Sequence, residues 1–376
     1  MKKILILGAG MVGKAMAIDL CRDFAVTSAD INPEALQEVA REHPVQTVQA
    51  DLSDAEKVKE LAAGYDLVIG AAPGFMGFQT LKAVIECGKN MVDISFFDEN
   101  AHDPFSLDDL ARTKGVTAVI DCGVAPGMSN VILGYHHARM KVENFECYVG
   151  GLPQARTWPF QYKAPFSPID VLEEYTRPAR LMENGRVVAK PALSEPEYLE
   201  VEGLGTLEAF NTDGLRTLLK TTPVANMKEK TLRYPGHIEY MRVLRETGFF
   251  SAEPLEINGA AVRPIDLTAK LLFPKWKLGK NEREFTVMEV RIEGEELGRA
   301  AQYVYRLFDR YDEATGLSSM SRTTGYTCTA AARLILEGHF TRKGICPPEY
   351  LGAAEGCFQR IWDYLGERNV RYCLLA

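Results

Sequence analysis

Ile4-Leu5-Ile6-Leu7-Gly8-Ala9-Gly10-Met11-Val12-Gly13 is the stretch on which the fold turns. A short apolar run, a strand in character, passes straight into G-x-G-x-x-G, and a helical pattern follows. Each glycine then has a task. Gly8 makes a tight turn, Gly10 lets a pyrophosphate reach the backbone, and Gly13 lets the helix pack close on the strand. Ala9, Met11 and Val12 complete the cradle. The helix N-terminus offers free N–H groups and a positive dipole end to phosphates. Asp30 ends the next strand about twenty residues on, where an acid accepts from the ribose hydroxyls of adenosine. The same charge repels a 2′-phosphate, and Ile31-Asn32-Pro33 supply no arginine to hold one. The expected cofactor is NAD. The alternative for Asp30 is a cap for the helix that starts at Pro33.

Outward from this motif, short apolar runs alternate with helical patterns. Strands are expected at residues 3–7, 25–29, 46–50, 66–71, 90–94 and 116–120, with helices at 11–23, 33–42, 55–63, 77–86 and 107–114. Val12, Met16 and Leu20 make one apolar stripe on the first helix. This is an α/β pattern: an N-terminal Rossmann domain with a doubly wound parallel sheet. Ligands of such sheets lie beyond the carboxyl ends of the strands. Asp51 stands there on the third strand, facing the adenine position. Ala71 and Ala72 on the fourth leave room for the cofactor. Asp93 and Ser95 end the fifth strand, and Asp121-Cys122-Gly123 ends the sixth. Each acid also suits a plain turn or helix cap.

After residue 140 the pattern changes. Phe145, Cys147 and Val149 alternate with other residues, as do Met288, Val290 and Ile292, and Tyr303, Tyr305 and Leu307. These read as half-exposed antiparallel strands, whose apolar side lines either a dimer interface or the domain core. Proline-containing loops are expected around 153–168, 178–196 and 264–274, and helices at 238–246, 323–336 and 355–365. The second domain is thus mixed α+β with an antiparallel sheet. The expected division is 1–130 for the NAD-binding domain, 131–320 for a substrate and dimerisation domain, and 321–376 for a helical segment returning to the first.

Composition sets the outer limits. Of 376 residues, 46% are hydrophobic and 25% charged, and 51 acids outweigh 43 Lys+Arg for a net charge of −8. A general nucleic-acid or anionic-membrane binder needs a basic face, so neither partner is expected. No apolar run is long enough to span a bilayer. The eight cysteines form no Cys-x-x-Cys pair and read as reduced thiols of a cytoplasmic protein. His136 and His137 diverge on a helix, so no metal site is expected.

The stretch Asp121-Cys122-Gly123-Val124-Ala125-Pro126-Gly127-Met128-Ser129-Asn130 resembles the sixth-strand motif of the saccharopine dehydrogenase-like family, in particular its lysine 6-dehydrogenases. The likeness continues in family order through Val149-Gly150-Gly151-Leu152-Pro153, Phe166-Ser167-Pro168 and Glu174-Tyr175-Thr176-Arg177-Pro178-Ala179. It goes on through Leu207-Glu208-Ala209-Phe210, Asp213-Gly214-Leu215 and Thr231-Leu232-Arg233-Tyr234-Pro235-Gly236-His237. The resemblance implies an oxidoreductase. It places cofactor contacts on the glycine motif, Asp30, Asp51, Ala71, Ala72, Cys122, Gly123 and Val124. It places the substrate pocket on Ser95, Phe96, Arg233 and Tyr234. Fungal saccharopine reductases carry an acid at the position matching Ala125. Its absence here favours the lysine type.

The reaction so implied is NAD-dependent oxidative deamination of the ε-amine of L-lysine. It needs a base for the ammonium, a cation for the α-carboxylate and a dry cleft. Arg233 is the expected carboxylate anchor. His237, Asp121 and Asp93 are the acid/base candidates, His237 alternatively ordering its own loop. Tyr162 and Lys163 sit in a loop suited to closing over the site. Glu174 reads as a solvated helix-face acid. The alternatives are a saccharopine-type or polyamine-type condensing enzyme, with Arg177 or Arg216 as a second anchor, and a non-catalytic NAD-binding regulator. A homodimer is expected.

Overall fold

The computed structural model describes residues 1–99, 101–166, 168–279 and 282–375. Ser167 of the Phe166-Ser167-Pro168 stretch lies outside the described residues. The chain divides into two compact units, one made of Met1–Lys141 and Ser321–Tyr372, the other of Val142–Met320 and Cys373–Ala376.

The first unit begins with β1 (Lys3–Leu7), α1 (Met11–Leu20), β2 (Ala25–Asp30), α2 (Pro33–Ala40), β3 (Gln46–Gln49) and α3 (Ala55–Ala62). It continues with β4 (Leu67–Gly70), α4 (Gly74–Glu86), β5 (Asn90–Asp93), α5 (Asp108–Thr113), β6 (Thr117–Val119) and α6 (Met128–His137). The strands lie in the order β6-β5-β4-β1-β2-β3, all parallel. The order reverses beside β1, and that switch point puts the glycine turn at the carboxyl edge of the sheet. Ile4, Leu5, Ile6 and Leu7 are all fully buried, as a strand covered on both faces requires. Each such side chain contributes about 1.5–3 kcal/mol of burial.

The second unit holds β7 (Lys141–Pro153), α7 (Pro168–Thr176), β8 (Ala179–Glu183), β9 (Arg186–Lys190), β10 (Glu197–Val201), β11 (Gly205–Asn211) and α8 (Leu218–Thr221). Then come β12 (Asn226–Arg233), α9 (His237–Glu246), β13 (Leu255–Ile257), β14 (Ala260–Val262), α10 (Pro264–Trp276), β15 (Glu284–Glu296) and β16 (Arg299–Arg310). The main sheet runs β10-β11-β12-β7-β15-β16, with β8 and β9 attached beside β12. The β12–β7 pair is parallel, so the sheet is mixed rather than purely antiparallel.

Two of the expected loops are regular structure. Within 178–196, β8 and β9 form a hairpin around Asn184-Gly185, both at positive φ (49° and 74°). Asn-Gly is the signature of that two-residue turn, and the prolines on either side masked it. Over 264–274 the chain is helical as α10. Pro264 is its first residue, where a missing N–H costs nothing, and Pro274 falls in its last turn. Met288, Val290, Ile292, Tyr305 and Leu307 are buried within the chain. An exposed apolar face on these strands is therefore no reason for pairing.

The chain then continues through α11 (Ser319–Leu336), β17 (Gly344–Cys346), α12 (Pro348–Ala353), α13 (Cys357–Glu367) and β18 (Tyr372–Leu374). β17 joins β6 in parallel, making the first sheet seven-stranded. Asp19 on α1 is buried and accepts from Thr329 Oγ1 and Arg368 Nε, both at 2.6 Å. No helix among the described residues is long and apolar enough to cross a membrane.

Candidate active site

The first unit carries a cradle at the carboxyl ends of its strands. Gly8 has φ 118°, and a Cβ there would stand 2.4 Å from the Ala71 carbonyl oxygen. A Cβ on Gly13 would stand 2.0 Å from the Gly8 carbonyl oxygen. Both positions are closed to any side chain. A Cβ on Gly10 would meet nothing within 4 Å, so the space over Gly10 is open. Gly10 begins α1 with no side-chain cap, and Met11 is exposed. Open space above uncapped helix N–H groups fits a pyrophosphate.

Asp30 sits beside this turn. Its Oδ2 accepts the Ala9 N–H at 2.6 Å and its Oδ1 accepts the Asn32 N–H at 2.9 Å. The cap of α2 is Asn32, which accepts from Glu34 and Ala35, so Asp30 is not that helix's cap. Asp51 is exposed and accepts both the N–H and the hydroxyl of Ser53, which hold its carboxyl below the ordinary range.

Deeper along the same edge, Asp93 is fully buried and accepts the Ser95 N–H and hydroxyl at 3.2 and 2.8 Å. Ser95 Oγ also lies 3.1 Å from the Ala72 carbonyl. Gly70 makes room for this acid, since a Cβ there would stand 2.1 Å from Asp93 Oδ1. Phe96 follows, half-buried, its carbonyl 2.5 Å from where a Gly74 Cβ would stand. Asp121 is buried at φ 53°. Cys122, fully buried, donates its N–H to the Asp93 carbonyl at 2.9 Å, and burial pushes its thiol up. Gly127 closes the loop over Gly123: its φ is 138° and its Cβ would stand 1.8 Å from the Gly123 carbonyl oxygen. Val124 is buried inside that loop.

The second unit carries a buried polar network on one face of β12. Arg233 is 1% exposed. Its Nε donates to Tyr175 Oη at 3.0 Å, its Nη1 to the Leu232 carbonyl at 3.0 Å, and its Nη2 to Glu174 at 2.5 Å. The guanidinium also lies 4.4 Å over the Tyr162 ring. Glu174 is the carboxylate on which this fork is closed. Glu174 is thus not a solvated helix-face acid. It is partly buried and ion-paired, because α7 turns it toward β12.

His237 is 1% exposed with both ring nitrogens occupied. Nδ1 lies 2.9 Å from the Phe160 carbonyl, which only accepts, so Nδ1 carries the hydrogen. Nε2 then accepts the Tyr175 hydroxyl at 2.9 Å. Burial, and then the Arg233 charge, hold its pKa down to about 3. A neutral ring with both nitrogens engaged orders the site rather than shuttling protons. Tyr162 is buried against Trp276, not poised as a lid, and burial pushes its phenol well up. Lys163 turns to the Lys277 carbonyl and to Glu282 at 3.5 Å. Tyr234 packs on the opposite side of the strand from Arg233, with Leu232 and Phe285, and donates to the Pro153 carbonyl at 2.9 Å. Adjacent residues of one strand face opposite ways, so Arg233 and Tyr234 do not share a pocket.

Tyr175 links Arg233 to His237, a role the sequence reading did not give it. Its signal was its place between Glu174 and Arg177 in a quoted motif. Arg180 grips Asp213 with Nε to Oδ1 at 2.8 Å and Nη2 to Oδ2 at 2.9 Å. This pair gave no local signal, for it joins residues more than thirty positions apart.

A glycine cradle at a switch point, an acid ending β2 and a second unit on a mixed sheet define a two-unit protein with a Rossmann dinucleotide-binding fold. Residues 4–119 match the model of the saccharopine dehydrogenase NADP binding domain, and residues 123–370 that of the saccharopine dehydrogenase C-terminal domain. The chain belongs to the saccharopine dehydrogenase family. It is 22% identical to the mitochondrial alpha-aminoadipic semialdehyde synthase of Mus musculus, over 92% of this chain and 45% of that one. It is 22% identical to a carboxyaminopropylagmatine dehydrogenase of Synechocystis, over 92% of each. The chain thus spans about half the length of the first of the curated relatives it matches. Apo saccharopine dehydrogenase (L-Glu forming) from Saccharomyces cerevisiae has the same fold, with TM-score 0.79, 19% identity and full coverage of both chains.

Proposed function

We propose that the chain carries out NAD-dependent oxidative deamination of the ε-amine of L-lysine, giving allysine, which cyclises to piperideine-6-carboxylate, and ammonia. One observation carries the choice of substrate. Three arginines of the second unit are closed on carboxylates: Arg233 on Glu174, Arg180 on Asp213 and Arg177 on Glu173. A ligand rich in carboxylates, such as saccharopine, has to displace an acid at each arginine of this set that it uses. A ligand with one carboxylate and a cationic amine has to displace only one of them.

The glycine turn with Ala9, Met11 and Val12 holds the pyrophosphate of NAD, and Asp30 its ribose. Asp51, Ala71, Ala72, Cys122, Gly123 and Val124 line the rest. The bound nicotinamide supplies a hydride acceptor for the carbon bearing the amine. The chain's residues do the remainder. Asp30 already has both oxygens on backbone N–H groups, so its carboxylate is fixed in place beside the glycine turn. Arg233 takes the α-carboxylate in exchange for Glu174. In the first unit Asp93 and Asp121, at adjacent strand ends, are the groups assigned to proton transfer; in the second, Tyr175 and His237 hold Arg233 rigid.

The test is NADH formation from NAD with lysine, ornithine, saccharopine, a diamine and an agmatine derivative, each alone, in parallel with NADP. Turnover with lysine and NAD supports the proposal. Turnover only with saccharopine or the agmatine derivative overturns it in favour of a condensing enzyme. The Synechocystis relative, matched over nearly its whole length, is the observation that favours that second reading. Binding of NAD with no turnover of any amine points to a regulator. In the same assay, Arg233→Ala is expected to raise KM for lysine at least tenfold while leaving KM for NAD nearly unchanged. Equal effects on both remove Arg233 from the substrate site.

A further inference from the structure

α11 is enclosed along most of its length. From Ser321 to Leu336, a stretch wholly within the first unit, Thr324 and Arg333 are half-buried and the other residues are buried. Arg333 reaches the surface, where it pairs with Asp23 and Glu337. Thr324 reaches an opening near the other end of the helix. Gly325 packs that end on α1, for a Cβ there would stand 3.1 Å from Met16 Cγ and 3.5 Å from Val12 Cγ1. One turn on, Thr329 Oγ1 donates to Asp19 of α1 at 2.6 Å. The neighbouring face of α11 meets the end of β6. Thr324 Cγ2 lies 3.3 Å from where a Gly123 Cβ would stand, and Cys122 Sγ lies 3.9 Å from the Thr327 carbonyl. Residues three and four apart share a helix face. Thr324 and Thr327 therefore look toward Cys122-Gly123, while Gly325 and Thr329 look toward α1.

Thr324 thus stands in the angle between the first turn of α1 and the loop after β6. The glycine cradle is open around that angle. Met11 is exposed, Val12 and Ala71 are half-buried, and a Cβ on Gly10 would meet none of the described residues within 4 Å. The sheet order says which half of a dinucleotide comes here. Its pyrophosphate lies over the glycine turn, and its two nucleosides lie on opposite sides of the switch point. β2, with Asp30, is on the adenosine side of β1, and β4, β5 and β6 are on the other. Thr324 rests against the end of β6, on the nicotinamide side. We infer that Thr324 is a nicotinamide-contact residue: its hydroxyl accepts the carboxamide N–H while its methyl stays seated on Gly123. A hydroxyl carries one donor and two acceptor positions, so it serves a backbone partner and a carboxamide together. The inference rests on the dinucleotide reading above and deepens it. It also gives the returning C-terminal segment a task, since α11 closes the nicotinamide end of the cradle.

The experiment is calorimetric binding of NADH and NADPH to the full chain, each beside its fragment without nicotinamide, ADP-ribose or 2′-phospho-ADP-ribose. Thr324→Val keeps the shape and removes the hydroxyl. It is expected to weaken the preferred cofactor about three- to tenfold, the range of one hydrogen bond, and to leave the matching fragment unchanged. Thr324→Ser keeps the hydroxyl and is expected to bind the cofactor within about twofold of the parent. A purely structural role would move cofactor and fragment together. Cofactor and fragment weakened alike by a folded Thr324→Val, or neither weakened, overturns the contact and leaves the dinucleotide site standing. A Thr324→Ser variant as weak as Thr324→Val also overturns it. Thr324→Ala serves in the same comparison if Thr324→Val does not fold. A parent that binds neither cofactor nor fragment overturns the dinucleotide reading and the contact with it.

Discussion

Asp30 spends both carboxylate oxygens on the backbone, one on Ala9 inside the glycine turn and one on Asn32. Its loss therefore loosens the cradle as well as removing a charge. Asp30→Ala is expected to weaken NAD binding by roughly tenfold or more, the worth of a charged hydrogen bond, and to raise the ratio of NADP to NAD affinity. Fluorescence titration with both reduced cofactors reads this. A parent that already binds NADP as tightly removes the charge argument. Two other residues give opposite pH signatures. His237 has its pKa lowered from 6.5 to about 3. Between those values the unfolded chain binds a proton that the folded chain does not, so stability falls as pH drops through that window. Glu229 has its pKa raised from 4.5 to about 8. There the folded chain keeps a proton that the unfolded chain has lost, so stability falls as pH rises through that window. Each slope is at most about 1.4 kcal/mol per pH unit. Glu229→Gln is accordingly expected to melt above the parent at pH values beyond about 8, with the gain vanishing below about 4.5. Melting curves across that range check it.

At the scale of elements, close approach decides more than composition does. α6 and α12 cross with glycines at the contact. A Cβ on Gly134 would stand 2.0 Å from the Glu349 carbonyl oxygen, and one on Gly352 2.0 Å from that of Val131. The same pair of helices joins Asn130 Nδ2 to Glu349 Oε2 at 3.1 Å, and Asn130 Oδ1 accepts the Gly127 N–H at 3.2 Å. Gly134→Ala is expected to push α12 off α6 and cost about 1–3 kcal/mol, as overpacking does. An unchanged melting temperature would show that the helices can part freely. Neither glycine stood out in the sequence, where Gly134 is one residue inside a helical run. By contrast, the turn at Asn184-Gly185 is legible in two letters, although the nearby prolines suggest a loop.

At the scale of the whole molecule, the residues proposed for the cofactor, from Gly8 to Val124, all belong to the first unit. Cofactor binding is then a stabilising force on that unit. NAD at a hundredfold excess over its Kd is expected to stabilise the chain by about 2.7 kcal/mol. The Asp30→Ala variant should lose most of that gain at the same concentration. A melting temperature indifferent to NAD would place the nucleotide elsewhere. No group of acids, histidines and cysteines among the described residues is arranged to hold a metal ion.

The sequence by itself determined the parallel sheet, because strand and helix periods are local and G-x-G-x-x-G has one setting in which all its glycines are needed. β1, β2, β4 and β5 fall within a residue or so of where apolar runs put them. It also marked the alternating strands β15 and β16 and the polar strand ends Asp30, Asp93 and Asp121. Only the tertiary structure decided what the polar residues of the second unit do. Arg233, Glu174, Tyr175 and His237 come from α7, β12 and α9, and their meaning lies in who neutralises whom. A carboxylate's partner is set by packing over distances no spacing encodes. That is why Glu174 read as a surface acid and is a partly buried ion-pair partner, and why Glu229, unremarkable in sequence, is buried near Glu174, Asp213 and Arg216.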